Sequence, residues 1–511
     1  MSIRIKSTLF TITSAVVYQL VILLSGFLVR RAFLEFIGVY YLGFDGFFNT
    51  IISLLSLLDL GIGASSIFYI SKAIAKNNIE EVILTYRVYA GLYRKVAFIM
   101  TIIGIIICLN ISNFVELGEN SLRFMQIIFL LQFSKTVSNY LLICPRITMQ
   151  CNQKNYINIA VDTISALVFM IVKLIVLFTF KNYVAYLIVM LLELVITNLF
   201  IRVIFYREFP QVRIKQKVSK EITANVLAYA KSIIFSNIND FVYRSTDNLV
   251  ITYFLGFTDV GYMSNYYYVF NAIDAMFAQF YLSVAASVTN FIHDDNVNED
   301  ENISKLFYIV LFVGFVMTLF CSIFLFGLTN EFIGIAFGQK YVKSKLIVFV
   351  MTCTFMLIAL QTCLYMYISG KGLMKYEIKF SIVCTILNLT TSIYLVQKIG
   401  VLGVLIGTLL STILFFSMRS RLVVNKIIHN PKLYIKTILK YISIIIISIF
   451  ILQFILISDV TNFVSFIFRG ITCFIVFIFM LLPFINTIEF LYLKKEIVSF
   501  FKKTKSNKSL L

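Results

Sequence analysis

Ionisable side chains stand inside stretches of the sequence that are otherwise apolar. In residues 241–256, FVYRSTDNLVITYFLG, Arg244 and Asp247 interrupt a hydrophobic run, and Asp240 comes directly before it. These three residues are spaced by three or four positions, so they share one face of a helix. A guanidinium there can bind a phosphate in bidentate fashion. It can also pair with either neighbouring acid, so a purely structural role stays open beside a binding role.

Polar residues recur at helical spacing in other apolar runs. One stripe contains Asp45, Asn49, Ser53, Ser56, Asp59 and Gly63; another face combines Asp162 with Lys173, and single candidates are Lys135, Glu193, Lys231, Asn271 and Asp274. A charge at the centre of a membrane helix costs roughly 2.5–3.5 kcal/mol on insertion scales. Several such residues in one chain indicate an interior that is hydrated or charge-paired. Salt bridges that only join helices are the alternative.

The composition places these helices in a membrane. Of the 511 residues, 60% are hydrophobic and 14% are charged, whereas soluble proteins contain about 25% charged residues. The apolar runs are near the ~20 residues that a helix needs to cross a bilayer, and the short alternating segments of a transmembrane barrel are not seen. The sequence therefore predicts an all-α polytopic membrane protein with about fourteen transmembrane helices.

The positions of Lys and Arg predict the orientation. With the N-terminus in the cytoplasm, thirty-one of the 44 Lys and Arg residues fall in inner segments and nine in outer segments. This bias follows the positive-inside rule, so both termini are expected to be cytoplasmic. The same distribution accounts for the net charge of +19 and argues against nucleic acid as a partner.

A basic segment and an internal repeat predict two lobes. The segment RVIFYREFPQVRIKQKVSK divides the chain near residue 215, and YLGFDGFFN (41–49) is echoed by FLGFTDVGYMSN (254–265). Internal repeats build many secondary transporters and place the substrate site at the repeat interface. We therefore expect an N-terminal lobe at 1–215, a C-terminal lobe at 216–436, and two further spans with a basic tail at 437–511.

Several chemistries have no signature in the sequence. The eight cysteines form no CxxC pair, so neither a disulfide framework nor a metal site is indicated. No GxxxxGK[ST], HExxH or GxSxG motif is present, and the connections are too short for a catalytic domain. The sequence thus predicts no enzyme and no cofactor, and energy for transport would come from an ion gradient, the membrane potential or substrate flux. An integral-membrane glycan polymerase or glycosyltransferase is a weaker alternative.

Three stretches resemble Wzx-type polysaccharide flippases, which belong to the MATE-like multidrug/oligosaccharidyl-lipid/polysaccharide exporter superfamily. They are YLGFDGFFNTIISLLSLLDLGIGASSIFYISKAIAKNN, STDNLVITYFLGFTDVGYMSNYYYVFNAI and IGVLGVLIGTLLS. The resemblance covers about residues 5–430. It implies two pseudo-symmetric six-helix lobes around a central cavity, with the two C-terminal helices added, in the bacterial cytoplasmic (inner) membrane.

The resemblance also implies a function and candidate residues. Related flippases move oligosaccharides carried on undecaprenyl diphosphate for capsule, O-antigen or similar polysaccharides, by alternating access coupled to protons or sodium, beside membrane lipids and in some pathways a glycan polymerase. Substrate-binding candidates are Arg30, Arg31, Lys135, Lys173 and Arg244. Candidates for the coupling ion or for the polar lining of the cavity are Asp45, Asn49, Asp59, Asp162, Asp240, Asp247 and Asp274. A lipid II flippase and a multidrug exporter of the same superfamily are the alternatives.

Overall fold

Every regular element in the described part of the computed structural model is helical. The described residues are 2–55, 62–75, 78–113, 122–152, 154–213, 223, 246–292, 300–371, 373–426, 428, 430–456 and 462–492. The helices are α1 Ser2–Phe36, α2 Val39–Leu55, α3 Ile62–Ala75, α4 Ile79–Leu109, α5 Leu122–Cys151, α6 Asn155–Phe180, α7 Tyr183–Glu208, α8 246–255, α9 Phe257–Ile292, α10 Asp300–Ala336, α11 Lys345–Gly370, α12 Met374–Ile399, α13 Val401–Lys426, α14 Pro431–Ile455 and α15 Phe463–Leu481.

The predicted all-α membrane architecture is confirmed. Within the described residues, ten helices are long and apolar enough to cross a membrane, namely α4 to α7 and α10 to α15. The predicted total of fourteen spans and the cytoplasmic position of both termini stay predictions. The apolar run at 40–70 contains the described helices α2 and α3, and residues 56–61 lie outside the described part of the chain.

Helix α4 begins at Ile79, well before the uninterrupted apolar run that starts at residue 96. Asn78 caps its N-terminus, because the Asn78 side chain accepts a hydrogen bond from the Glu81 backbone N–H at 3.0 Å. Arg94 and Lys95 are exposed on this added part of the helix, while Tyr89 on the opposite face is buried. The apolar run ends at these two cations, but the helix continues through them because its opposite face remains buried.

The chain divides into two compact units, Met1–Gly261 and Tyr262–Leu511. In the first unit, α5 contacts α2, α3, α4, α6 and α7, and α1 packs along α6. The predicted lobe boundaries at residues 215 and 436 stay predictions. Helix α9 contains the boundary between the two contact units, since its residues Phe257–Gly261 are grouped with the first unit.

In the second unit, α10 contacts α11, α14 and α15, and α12 packs closely on α13. Aromatic rings join the C-terminal helices to α10: Phe315 stacks on Tyr441 with centroids 4.1 Å apart, and Phe484 lies 5.0 Å from Phe315. Gly327 of α10 leaves room for Cys473 of α15. The two C-terminal helices are therefore packed into the second unit as part of its core.

Candidate functional site

A set of ionic and polar side chains lies inside the first unit on α2, α5, α6 and α7. We call it the polar ladder; its members are Asp45, Gln132, Lys135, Arg146, Asp162, Lys173, Tyr183, Glu193 and Asn198. The other three helices all contact α5. The ladder therefore brings side chains from four segments of sequence into one helix bundle.

Asp45 anchors one end of the polar ladder. Its carboxylate accepts hydrogen bonds from the Tyr183 hydroxyl at 2.5 Å and from the Gln132 amide at 2.6 Å. The Gln132 amide also donates to the Tyr183 hydroxyl at 2.9 Å, so the three groups form a closed triangle. The charges of Lys135 and Arg30 act on the same carboxylate. Asp45 is therefore fixed by hydrogen bonds and electrostatically linked to two cations.

The middle of the polar ladder contains two lysines and one glutamate. The Lys173 ammonium pairs with the Glu193 carboxylate at 2.5 Å, which joins α6 to α7. The charges of Asp45, Lys173 and Glu193 all act on Lys135. Among the described residues, Lys135 makes no hydrogen bond or direct ion pair. It is thus a cation with acids nearby but without a fixed partner in that part of the chain.

Arg146 forms the hydrogen bonds at the other end of the polar ladder. Its two terminal nitrogens donate to both oxygens of Asp162 at 2.7 and 2.6 Å, and its Nε donates to the Asn198 side chain at 2.7 Å. The Asn158 amide in turn donates to the Arg146 backbone carbonyl at 3.1 Å. This arrangement is the bidentate geometry in which arginine binds a carboxylate or a phosphate most strongly.

Along α7, the polar ladder covers a length comparable with most of the hydrocarbon core of a bilayer. Along α7, Tyr183, Glu193 and Asn198 are ten and then five residues apart. At a rise of 1.5 Å per residue these steps cover roughly 22 Å, compared with a hydrocarbon core of about 30 Å. Ionic and hydrogen-bonding groups therefore follow α7 over most of a length that matches the hydrocarbon core.

The charges of the polar ladder cancel, and Arg30, which lies outside the ladder, adds one further cation that acts on Asp45. The ladder contains three cations and three acids, so its formal charges balance: Lys135, Arg146 and Lys173 against Asp45, Asp162 and Glu193. With Arg30 counted, the group carries one excess positive charge. Guanidinium and ammonium groups are the usual protein ligands of phosphate. The arrangement can therefore attract an anion while its carboxylates hold the cations in place.

The second unit also contains ion pairs, but they are buried. Arg419 of α13 donates to Glu377 of α12 at 2.5 Å and to Gln361 of α11 at 2.9 Å, and the Phe415 ring lies 4.0 Å from its guanidinium. Arg469 of α15 pairs with Glu331 of α10 at 2.8 Å. Their guanidinium groups are enclosed by the helices that they connect, so a structural role fits both pairs.

The remaining predicted site residues lie in several places. Arg31 on α1 and Asn49 on α2 are exposed, while Asp247 on α8 and Asp274 on α9 are half-buried. The charge of Asp274 acts on Cys321 of α10. Five residues named from the sequence lie outside the described part of the chain, namely Ser56, Asp59, Lys231, Asp240 and Arg244.

Four members of the polar ladder are not among the residues predicted from the sequence: Gln132, Arg146, Tyr183 and Asn198. Arg146 is one of the cations that the orientation count places in inner segments, but it lies within α5, five residues before the helix ends at Cys151. The available signal was its position opposite Asp162 on the following helix, since α5 and α6 are joined by a short connection. The sequence does not indicate a site role for Tyr183, because a tyrosine at the start of a membrane helix is usually an interfacial aromatic residue.

Known structures share this fold. A structure of the lipid II flippase MurJ in an inward closed conformation superposes with a TM-score of 0.66 at 16% identity, covering 94% of this chain and 99% of MurJ. An inward-facing MATE-family multidrug resistance transporter of the MOP superfamily gives 0.57 at 15% identity over 79% of this chain and 94% of that one. The Vibrio cholerae MATE transporter VcmN, in a mutant form, gives 0.58 at 13% identity over 85% of this chain and 100% of VcmN.

These similarities define a multi-pass helical membrane protein with the fold of MurJ and the MATE transporters. A family model described as polysaccharide biosynthesis protein matches residues 54–346, and the chain belongs to that family. The resemblance to polysaccharide flippases is thereby confirmed at the level of a polysaccharide biosynthesis family, and the fold is the one shared by MurJ and the MATE transporters. A comparison with curated proteins finds no match.

Proposed function

We propose that this protein is a flippase that carries undecaprenyl-diphosphate-linked oligosaccharides across the bacterial cytoplasmic membrane for surface polysaccharide synthesis. Membership of the polysaccharide biosynthesis family supports the pathway. The fold shared with a lipid II flippase supports movement of a lipid-linked substrate. The observation that carries the proposal is the polar ladder, because a row of ionic groups inside a membrane bundle suits a charged headgroup.

The polar ladder suggests how the headgroup is bound. A diphosphate carries several negative charges, and Lys135 has no fixed partner among the described residues. We assign Lys135 the first contact with the diphosphate, and Arg146 and Lys173 later contacts in which phosphate oxygens replace the carboxylates of Asp162 and Glu193. The apolar tail would remain in lipid, next to the exposed apolar side chains of α6 such as Ile164 and Ile171.

Translocation requires no covalent change, so the work of the protein is binding, release and conformational exchange. Arg30, Arg31 and Arg244 are further cationic candidates for the headgroup. Proton or sodium coupling through one of the acids, Asp45, Asp247 or Asp274 among them, and a glycan polymerase as a neighbouring partner belong to the same proposal.

The decisive experiment compares Lys135→Ala with Lys135→Arg in proteoliposomes that contain fluorescent undecaprenyl-diphosphate oligosaccharide. Translocation is read as the fraction of lipid that becomes accessible on the opposite face. We expect Lys135→Ala to lose at least about tenfold in rate, the equivalent of one charge-assisted hydrogen bond at ~1.4 kcal/mol. Lys135→Arg should retain a substantial part. Arg244→Ala and Arg244→Lys should show the same contrast.

A matched control removes a lysine outside the polar ladder. Lys398 is exposed at the end of α12, where its ammonium contacts the Tyr394 ring, so Lys398→Ala should leave translocation unchanged. Full translocation by the Lys135→Ala variant would exclude the assigned headgroup contact. A parallel assay with lipid II and with a cationic drug measures the substrate class, and faster transport of either would replace the proposed substrate.

A further inference from the structure

A narrow cleft opens among four membrane-spanning helices of the second unit, α10, α11, α14 and α15. Its volume is about 300 Å³ including its open mouth, at the lower end of the range for small-ligand pockets. The lining combines three ionic side chains, Glu331, Lys345 and Arg469, with apolar ones such as Val348 and Leu452. We call it the C-terminal cleft.

A buried ion pair forms the inner part of the C-terminal cleft. Arg469 of α15 pairs with Glu331 of α10 at 2.8 Å, and the Arg469 guanidinium also donates to the Leu456 backbone carbonyl at 3.4 Å. Both side chains are buried, so the pair holds the helices around the cleft in place. The charges of the pair cancel, and any excess charge in the cleft must come from another residue.

Lys345 supplies that charge at the mouth of the cleft. It is the first residue of α11 and is exposed, and its ammonium donates to the same Leu456 carbonyl at 3.4 Å. A lysine ammonium has three donors, so this one long contact leaves donors for an anion. Two cations and one acid give the cleft one positive charge in excess.

The inner part of the C-terminal cleft lies a short distance from the helix ends. Glu331 comes five residues before α10 ends at Ala336, and Arg469 comes six residues after α15 begins at Phe463. At 1.5 Å per residue these steps are roughly 7–9 Å. The polar layer of a bilayer is about 5–8 Å thick on each side. The cleft therefore spans a depth comparable with that of the lipid headgroups.

We propose that the C-terminal cleft binds the phosphate of an anionic phospholipid such as phosphatidylglycerol. Its interior has room for about one water-sized group, so one phosphate oxygen enters beside Lys345 while the rest of the headgroup stays at the mouth. A phosphodiester carries one negative charge, which matches the one excess positive charge of the cleft. Basic pockets between membrane helices bind anionic headgroups through the same attraction.

Exposed apolar side chains beside the cleft favour a lipid over a free anion. Leu346 follows Lys345 along α11, Phe468 precedes Arg469 along α15, and both are exposed. In a membrane such side chains lie against acyl chains, which are as apolar as leucine. The proposal involves no residue of the polar ladder and does not depend on the proposed substrate.

The test measures which lipid occupies the surface beside Lys345. The chain contains no Trp, so Leu346→Trp creates a single fluorescent reporter at a position that is already exposed. The full chain is reconstituted in phosphatidylcholine vesicles with rising fractions of phosphatidylglycerol whose acyl chains are brominated and quench Trp on contact. The same series with brominated phosphatidylcholine gives the relative binding constant of the two lipids at position 346.

We expect phosphatidylglycerol to bind at position 346 about fivefold more strongly than phosphatidylcholine, the contribution of one lysine beside an anionic lipid. Lys345→Gln should remove this preference, and Lys345→Arg should keep it. The matched control is Lys340→Gln on the preceding turn, where the exposed ammonium lies over the Tyr341 ring and does not line the cleft. It should leave the preference unchanged.

A second reporter distinguishes a local site from a general attraction of anionic lipid. Ile386→Trp lies at an exposed apolar position of α12 and should show no preference between the two lipids. An equal preference at positions 346 and 386 would overturn the proposal, as would a preference that survives Lys345→Gln. Equal binding of both lipids at position 346 with Lys345 intact would also overturn it, even if Lys345→Gln does not fold.

Inorganic phosphate separates the two sources of a phosphate group. Sodium phosphate and sodium chloride of equal ionic strength screen charges alike, so both should lower the preference at position 346 to the same small extent. If sodium phosphate alone removed the preference, the cleft would be a site for free phosphate, and the assignment to a phospholipid would be wrong.

Discussion

The ion pairs of the two units differ in how far water or a ligand can reach them. In the first unit, the side chains of Arg146 and Asp162 are 25% and 18% exposed. In the second unit, Arg419 and Glu377 are 11% and 7% exposed. The residue types and distances are similar in both pairs, so distance alone does not distinguish a binding group from a structural one. The difference lies in whether a face of the cation remains open to an incoming anion.

The buried pairs of the second unit connect helices that are distant in sequence. Arg419 links α11, α12 and α13, and Arg469 links α15 to α10 while it also donates to the Leu456 carbonyl at 3.4 Å. Lys345 donates to the same carbonyl at 3.4 Å. Removing one partner from a buried pair leaves an uncompensated charge, so these residues are expected to matter for stability first.

The largest expected effect comes from breaking the Arg419 pair. Arg419→Ala leaves Glu377 buried without its cation and should destabilise the protein by about 3–5 kcal/mol. Because the chain contains no Trp, the loss is best measured as the temperature at which the monodisperse peak disappears in size-exclusion chromatography. The control is Arg421→Ala, two residues along the same helix at an exposed position. A melting temperature for Arg419→Ala equal to that of the control would show that the pair is not a structural link.

The sequence was sufficient to predict the helical membrane fold and the residue types of the site, because apolar runs and intramembrane charges are local signals. It placed Asp162 and Lys173 on one face of a helix, and both do form ion pairs with neighbouring helices. It did not reveal the partners, since Arg146 and Glu193 lie on different helices and helical spacing says nothing about which helices pack together.

The next prediction exchanges the charges of one pair in the first unit. The double variant Arg146→Asp with Asp162→Arg preserves an ion pair between α5 and α6, so the melting temperature should fall by only a few degrees. Translocation should fall at least about tenfold, because the cation moves to a different helix and Asn198 loses its donor. Parallel assays of melting temperature and translocation check both parts. If the exchanged pair supports full transport, the pair is structural in the first unit as well, and the contrast between the units disappears.

The smallest expected effect concerns Lys154 and Glu208, an ion pair between the first residue before α6 and the last residue of α7. These side chains are 33% and 40% exposed, more than any pair of the polar ladder. Exposed pairs contribute at most about 1 kcal/mol, so Glu208→Gln should change the melting temperature little and leave translocation intact. This variant tests whether solvent exposure alone makes an ion pair important for transport. Lys154 and Glu208 are exposed, but they lie at the ends of α6 and α7, outside the part of α7 from Tyr183 to Asn198 that carries the polar ladder. If Glu208→Gln impaired transport as strongly as the exchange at Arg146, solvent exposure would be the property that transport residues share. The site would then extend to the ends of α6 and α7.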